Sequence, residues 1–144
     1  SVLIPTDTRT TACVSSQVGC SLNCEFCATA KLKRMRNLEV AEIIDQVALI
    51  DRQSKLYFGR PLTNIVFMGM GEPMMNYKNV VDSIRKITSP DGLGMSPRRI
   101  TVSTSGIPKM IKMLADEDLK VKLALSLHTA LKASKLWHRE VEPR

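Results

Sequence analysis

Three cysteines, Cys20, Cys24 and Cys27, lie within eight residues of this chain. Their spacing lets one loop aim three sulfur atoms at one point, which is what a thiolate-bound metal centre requires. A structural zinc site normally has four protein ligands, yet no second cysteine pair follows, and the two histidines, His128 and His138, lie far downstream. The count favours an iron-sulfur cluster with one iron open to a small ligand, and it leaves zinc as the alternative.

The length and composition indicate one basic, globular domain spanning residues 1–144. A chain of 144 residues can bury one hydrophobic core. It has no run of 18 or more apolar residues and no leader pattern at its first residues, so we expect neither a membrane span nor a signal peptide, and a cytoplasmic location with reduced thiols. The net charge of +7 favours a polyanionic partner such as nucleic acid.

Strand and helix patterns alternate along the chain. Strand patterns occupy residues 8–17, 64–68, 99–104 and 122–128. A first helix is predicted from an N-cap at Asn37 to about Ser54. Apolar residues at helical spacing mark two more helices, one through Val80, Val81, Ile84 and Ile87 and one through Ile107, Met110, Ile111 and Leu114. The alternation predicts an α/β fold with right-handed βαβ units and a parallel sheet.

The predicted sheet gathers the unusual segments at one edge. The cysteine loop, Gly69–Pro73, Ser103–Gly106 and Ser126–His128 each follow or end a predicted strand. Active sites of parallel α/β folds lie at the carboxyl ends of the strands. We therefore expect all four segments to face a single concave site.

A basic run follows the cysteine loop. Lys31, Lys33, Arg34 and Arg36 place four positive charges in six residues. Such a run is either a solvated surface or, beside a metal loop, a set of phosphate contacts. The second interpretation predicts that these four residues contact RNA.

Several motifs together resemble a known family. The cysteine triplet with Phe26 is similar to the signature of radical S-adenosylmethionine (SAM) enzymes. The wider context resembles the RNA adenosine C2 methyltransferases of the RlmN type, in unbroken order over about residues 10–128. The segments that carry this resemblance are Ala12–Cys20, Phe67–Pro73, Ser103–Gly106 and Leu125–His128. The resemblance implies a partial parallel (β/α) barrel of the radical SAM type, here truncated to about four βα units, with 129–144 as a divergent tail.

The resemblance also implies cofactors and residue roles. Cys20, Cys24 and Cys27 would hold a [4Fe-4S] cluster whose open iron binds SAM, and one electron from the cluster would yield a 5'-deoxyadenosyl radical. In similar enzymes Cys13 would help to resolve a covalent intermediate between protein and RNA. The residues that would contact SAM are Gly71, Glu72, Ser103, Ser126, Leu127 and His128.

The implied reaction is methylation of C2 of adenosine in 23S rRNA and in tRNA, with an electron donor such as flavodoxin. In this family a further cysteine near the C-terminus carries the methyl group, but all four cysteines of this chain already have other roles. We therefore expect a fragment of a larger protein that binds the cluster and SAM without methylating RNA by itself. The alternatives are a relative that acts at adenosine C8 and a zinc-stabilised RNA-binding module without catalysis.

Overall fold

The computed structural model describes residues 1–20, 22, 24, 27–33 and 35–126. Three α-helices within these residues are α1 (Val40–Phe58), α2 (Tyr77–Thr88) and α3 (Pro108–Asp116). The strands of the same residues are β1 (Val2–Pro5), β2 (Thr10–Cys13), β3 (Gln17–Val18), β4 (Arg36–Asn37), β5 (Asn64–Phe67), β6 (Ile100–Thr104) and β7 (Lys122–Leu125).

The main sheet has the strand order β1-β2-β5-β6-β7. β2, β5, β6 and β7 are parallel to one another, and α1, α2 and α3 lie in the three connections between them. The predicted α/β fold with a parallel sheet is therefore confirmed. The antiparallel edge strand β1, which pairs Val2 with Cys13, was not predicted. Val2 and Ile4 are largely exposed, so the segment has no alternation of buried and exposed apolar residues by which to detect it.

Two predicted boundaries were wrong in the segment between β2 and α1. The first parallel strand ends at Cys13 instead of Gln17, because Gln17 and Val18 pair antiparallel with Asn37 and Arg36. Asn37 is therefore a strand residue, and the N-cap of α1 is Glu39. The helix also continues four residues beyond Ser54, to Phe58, and ends at Gly59 in the left-handed conformation (φ 63°).

The main sheet has one packed face and one open face. Ala12, Ile65, Phe67, Ile100 and Val102 alternate along β2, β5 and β6 and are almost completely buried in the core. The core residues that α1 and α2 contribute are Ile43, Val47 and Ile50 and Val80, Val81, Ile84 and Ile87. The intervening strand residues, which include Thr11, Cys13, Val66, Thr101 and Ser103, are only half-buried on the opposite face. The helix-covered face stabilises the fold, which leaves the other face free for function.

A capping box closes the first turn of α1, and Arg36 of β4 contacts one of its residues. The carboxylate of Glu42 accepts the backbone N–H of Glu39 at 2.9 Å, and the Glu39 side chain accepts the backbone N–H of Glu42. Arg36 donates to both carboxylate oxygens of Glu42, at 2.6 and 2.7 Å. The hydrogen bond from Arg36, followed by that from the Glu39 backbone, lowers the pKa of Glu42 to about 2.

We predict that the Glu42 contacts stabilise the fold above about pH 4.5 and lose their effect as the pH falls toward 2. The pKa of Glu42 is lower in the folded chain than its ordinary value of 4.5, so protonation favours the unfolded chain. Melting temperatures of the chain and of Glu42→Gln, measured from pH 7 to pH 2, should differ at pH 7 and converge at pH 2. Asp45→Asn on the exposed side of α1 is the control. A difference that stays constant over the whole range would contradict the prediction.

Candidate functional site

A cavity of about 320 Å³ opens at the carboxyl ends of the parallel strands. It brings together the cysteine loop and the segments that follow β5, β6 and β7, as the sequence predicted. The residues that line it are Cys20, Leu22, Cys24, Cys27, Met68, Gly69, Gly71, Glu72, Pro73, Ser103, Thr104, Ser105, Ala124, Leu125 and Ser126. Seven of the predicted site residues therefore share one cavity.

The three thiols form one wall of this cavity. Cys20 and Cys24 are buried around Leu22, and Cys27 is half-buried beside them. The backbone N–H of Leu22 points at the sulfur of Cys20 at 3.4 Å, and the N–H of Cys27 donates to the carbonyl of Cys24 at 3.1 Å. Hydrogen bonds to sulfur are among the contacts by which proteins tune iron-bound thiolates. Cys20, Cys24 and Cys27 thus all line the cavity.

The donor set of this wall is chemically suited to an iron-sulfur cluster. Cysteine thiolates are the usual ligands of [4Fe-4S] clusters, and Cys20, Cys24 and Cys27 line one cavity. Within the described part of the chain, no three His, Cys, Asp or Glu side chains are placed so that they could hold one metal ion.

Glu72 connects two of the loops that form the cavity. Glu72 is only 5% exposed. One oxygen accepts the N–H of Met74 at 3.0 Å, and the other accepts the N–H and the hydroxyl of Ser105 at 2.8 and 3.0 Å. Three internal donors hold the carboxylate in place, so Glu72 fixes the loop after β5 against the loop after β6 and can offer only its remaining acceptor capacity to a ligand.

Gly69 and Gly71 permit a close approach to the segment before the cysteine loop. A Cβ at Gly69 would lie 2.6 Å from the Ser15 hydroxyl oxygen, and one at Gly71 would lie 2.5 Å from Cβ of Gln17. Gly71 also has a φ of +94°, which side chains rarely adopt. The resemblance implied that Gly71 contacts SAM, and the structure shows in addition that both glycines admit the chain's own segment at Val14, Ser15 and Gln17.

Gln17 and Ser105 support the site but were not among the predicted residues. Gln17 is fully buried, and it donates from Nε2 to Asn37 at 2.7 Å while its Oε1 accepts the backbone N–H of Glu72 at 3.1 Å. It thereby ties the approach to Cys20 to the Gly71-Glu72 turn. Ser105 stands in the Ser103–Gly106 motif, and Gln17 stands in the Ala12–Cys20 segment, so the motifs that carry the resemblance contain both residues.

Ser103 and Ser126 lie at the ends of neighbouring strands. The hydroxyl of Ser103 donates to the carbonyl of Phe67 at 2.6 Å. The backbone N–H of Ser126 donates to the carbonyl of Thr104 at 2.9 Å and so extends the ladder between β6 and β7. Leu127 and His128 lie outside the described residues.

Cys13 lies on the open face of the sheet but does not line the cavity. In the strand register Cys13 is level with Val66, Thr101 and Lys122. Ser103 and Ala124 are the next residues on the same face toward the carboxyl ends of β6 and β7. Successive residues on one face of a strand are about 7 Å apart. Cys13 is therefore positioned beneath the cavity, apart from the three cysteines of the loop.

The basic run is divided between two environments. Lys31 and Lys33 are exposed beside the cysteine loop, and Lys33 forms a backbone bridge with Cys20. The guanidinium of Arg36 is instead engaged by Glu42. Arg34 lies outside the described residues.

Comparison with known proteins identifies the family. The model of the radical SAM superfamily matches residues 14–141. The chain belongs to this superfamily. A structural comparison agrees, because the crystal structure of a radical SAM methyltransferase from Sphaerobacter thermophilus aligns with a TM-score of 0.90 and 45% identity, over 96% of this chain and 40% of that one. The expected radical SAM-type fold, present in part, is therefore confirmed.

The chain is similar in sequence to longer curated proteins. It is 75% identical over 130 residues to the probable dual-specificity RNA methyltransferase RlmN of Christiangramia forsetii, covering 90% of this chain and 37% of that one. It is 71% identical over 131 residues to the protein of the same name from Flavobacterium johnsoniae, covering 91% and 38%. The predicted resemblance to the RlmN type is thus confirmed, and the chain spans under two-fifths of these relatives. None of the described helices is long and apolar enough to cross a membrane.

We predict that Gly71→Ala will destabilise the fold by more than about 2 kcal/mol and will displace the Gly71-Glu72 turn. A side chain at φ +94° is strained, and its Cβ would collide with Gln17. Gly94→Ala is the matched control, since Gly94 also has a positive φ (+58°) but a Cβ placed there would meet no atom within 4 Å. Chemical denaturation measures the difference, and equal losses of stability for the two variants would refute the role of the close approach.

We predict that Glu72→Gln will lower the free energy of unfolding by about 1–3 kcal/mol. The amide nitrogen of glutamine cannot accept a hydrogen bond, so at least one buried donor, Met74 N–H or those of Ser105, loses its partner. Asp116→Asn, an exposed carboxylate on α3, serves as the control. Denaturation of the variants would show the difference, and a Glu72→Gln chain as stable as the control would contradict the proposed connection between the loops.

Proposed function

We propose that this chain forms the cluster- and SAM-binding core of an enzyme that methylates C2 of adenosine in ribosomal RNA and transfer RNA. The observation that carries the proposal is the single cavity that unites Cys20, Cys24 and Cys27 with Glu72 and Ser103. The similar proteins named RNA methyltransferases support the substrate class. Residues 1–144 would be one domain within a longer protein, with 129–144 as its divergent part.

Cys20, Cys24 and Cys27 are the residues that would hold a [4Fe-4S] cluster. When bound, the cluster would supply one electron for reductive cleavage of SAM and so give access to a 5'-deoxyadenosyl radical. A flavodoxin-like protein would provide that electron. The protein's own contribution is to keep the three thiols together and to exclude water from their wall, since Cys20 and Cys24 are buried.

The opposite wall would bind the methionine part of SAM. Gly71 presents backbone, and Glu72, held by Met74 and Ser105, presents a fixed negative charge toward the ammonium group. Ser103 and Ser126 add polar groups from the next two strands, and Leu127 and His128 complete the proposed set. Because three hydrogen bonds hold Glu72 and Ser103 lies within β6, these two groups are preorganised for a ligand.

Cys13 would act after the methyl group reaches RNA. Aromatic C2 of adenine is not activated for polar methyl transfer, so a radical route through a covalent intermediate is needed. The proposed role of Cys13 is to help resolve that intermediate from its place beneath the cavity. All four cysteines of this chain have other proposed roles, and none of them is the cysteine that carries the methyl group. We therefore expect no RNA methylation by this chain alone.

The RNA would approach beside the cysteine loop. Lys31, Lys33 and Arg34 are the proposed phosphate contacts there. Arg36, also predicted from the sequence, is the weakest of the four because Glu42 already engages its guanidinium.

Anaerobic reconstitution with iron and sulfide tests the proposal. We expect the chain to gain visible absorbance, to give a cluster signal by electron spin resonance after reduction, and to cleave SAM to 5'-deoxyadenosine. Cys24→Ala should abolish all three, because one iron would lose its ligand. Cys13→Ala, which removes a thiol outside the cavity wall, should keep the cluster. Stoichiometric zinc binding with no cluster would overturn the proposal.

A further inference from the structure

A second polar pocket lies at the other end of the sheet from the cysteine cavity. Its volume is about 380 Å³. The residues that line it stand at the amino ends of the four parallel strands or just before them, and they are Thr8, Arg9, Thr63, Asn64, Arg98, Arg99 and Lys122. The strand starts thus bring together cations that are far apart in the sequence.

The pocket concentrates positive charge without compensation. Arg9, Arg98, Arg99 and Lys122 line it, and among the described residues no carboxylate does. Some cations elsewhere in the described chain form ion pairs with carboxylates, such as Arg36 with Glu42 and Lys55 with Asp51. Four like charges around one depression repel one another and raise the local potential. An anion in the pocket would relieve that repulsion.

Neutral polar side chains lie among these cations, and hydrogen bonds from Arg60 hold the segment that carries Arg9. Thr8 and Asn64 add hydroxyl and amide groups of the kind that bind phosphate oxygens, whereas the hydroxyl of Thr63 is already engaged by Thr10 and Asn64. The guanidinium of Arg60 donates to the carbonyls of Thr6, Asp7 and Arg9, which holds the turn that carries Arg9. The site is therefore built on strand starts and on a braced turn.

We propose that this pocket binds a backbone phosphate of the RNA substrate. The proposal rests on the proposed function, and it adds a contact far from the basic run beside the cysteine loop. A strand of four or five residues separates the two ends of the sheet by roughly 15 Å. A folded RNA can reach both ends, whereas a short oligonucleotide in the cavity cannot. The pocket would thus favour large, folded substrates without reading their sequence.

Binding of an unmodified transfer RNA transcript to the reconstituted chain tests this site. The variant Arg98→Gln/Arg99→Gln should weaken binding about tenfold at low salt. It should also make the slope of log K against log salt shallower by about one for each phosphate that the variant no longer binds. Arg52→Gln/Lys112→Gln removes the same charge from exposed helix positions and should change both quantities much less. Equal effects of the two double variants would overturn the proposal, because net charge alone would then explain binding.

A second measurement uses the chain without any substitution. Lysine-reactive labelling read by mass spectrometry should show that the transcript protects Lys122 more than the exposed helix residue Lys112. Inorganic phosphate serves as the competing probe. Protection by submillimolar phosphate but not by the transcript would assign the pocket to a small anion and would refute RNA binding there.

These outcomes are separable from those of the proposed function. Cluster formation and SAM cleavage do not involve the pocket, so they should be unchanged in Arg98→Gln/Arg99→Gln. A wild-type chain that forms the cluster and binds the transcript, while the pocket variants bind equally well, would refute only the phosphate site. Failure to form the cluster would refute the proposed function, whatever the pocket binds.

Discussion

The close approach of two loops at the carboxyl end of the sheet is the constraint on which the site depends. The segment Ser15–Gln17 leads into the cysteine loop, and the turn Gly69–Glu72 follows β5. They meet so closely that a Cβ at Gly71 would lie 2.8 Å from the backbone nitrogen of Gln17. The carbonyl of Met70 accepts the N–H groups of Ser16 and Gln17, and the hydroxyl of Ser15 accepts the N–H of Met70. Backbone contact of this kind fixes where the thiols stand relative to Glu72.

Buried polar side chains extend this contact into a network. Asn76 donates to the carbonyls of Ser16 and Leu38, both at 2.8 Å, and Gln46 of α1 bonds the backbone of Ser15 in both directions. Satisfied polar groups in a low-dielectric interior specify one arrangement, because any alternative leaves donors without partners. The loops around the cavity are therefore held by the packed layer of the fold, although they line its open face.

The two faces and the two ends of the sheet carry different chemical groups. The helix-covered face carries the apolar core, and the open face carries Cys13 and Ser103. The carboxyl ends of the strands hold thiols and a carboxylate, whereas the amino ends hold four cations. A parallel sheet separates these chemistries because all of its strands begin at one end and finish at the other.

The sequence alone determined the parallel α/β fold, the cysteine triplet and the family, because apolar periodicity and motif order are local properties of the chain. It also placed Ser103, Glu72 and the cysteines at one edge, since strand direction follows from alternation with helices. Only the tertiary structure decided that Gln17 joins Asn37 to Glu72, that Glu39 rather than Asn37 caps α1, and that Arg36 is engaged by Glu42. The same holds for the basic pocket, whose residues extend along the sequence from Thr8 to Lys122. The contacts of Gln17 and the basic pocket join residues distant along the chain, and their partners are set by packing and not by local pattern. The Glu39 cap and the Arg36–Glu42 pair are local contacts beside the pairing of Asn37 with Gln17 in the β3–β4 ladder.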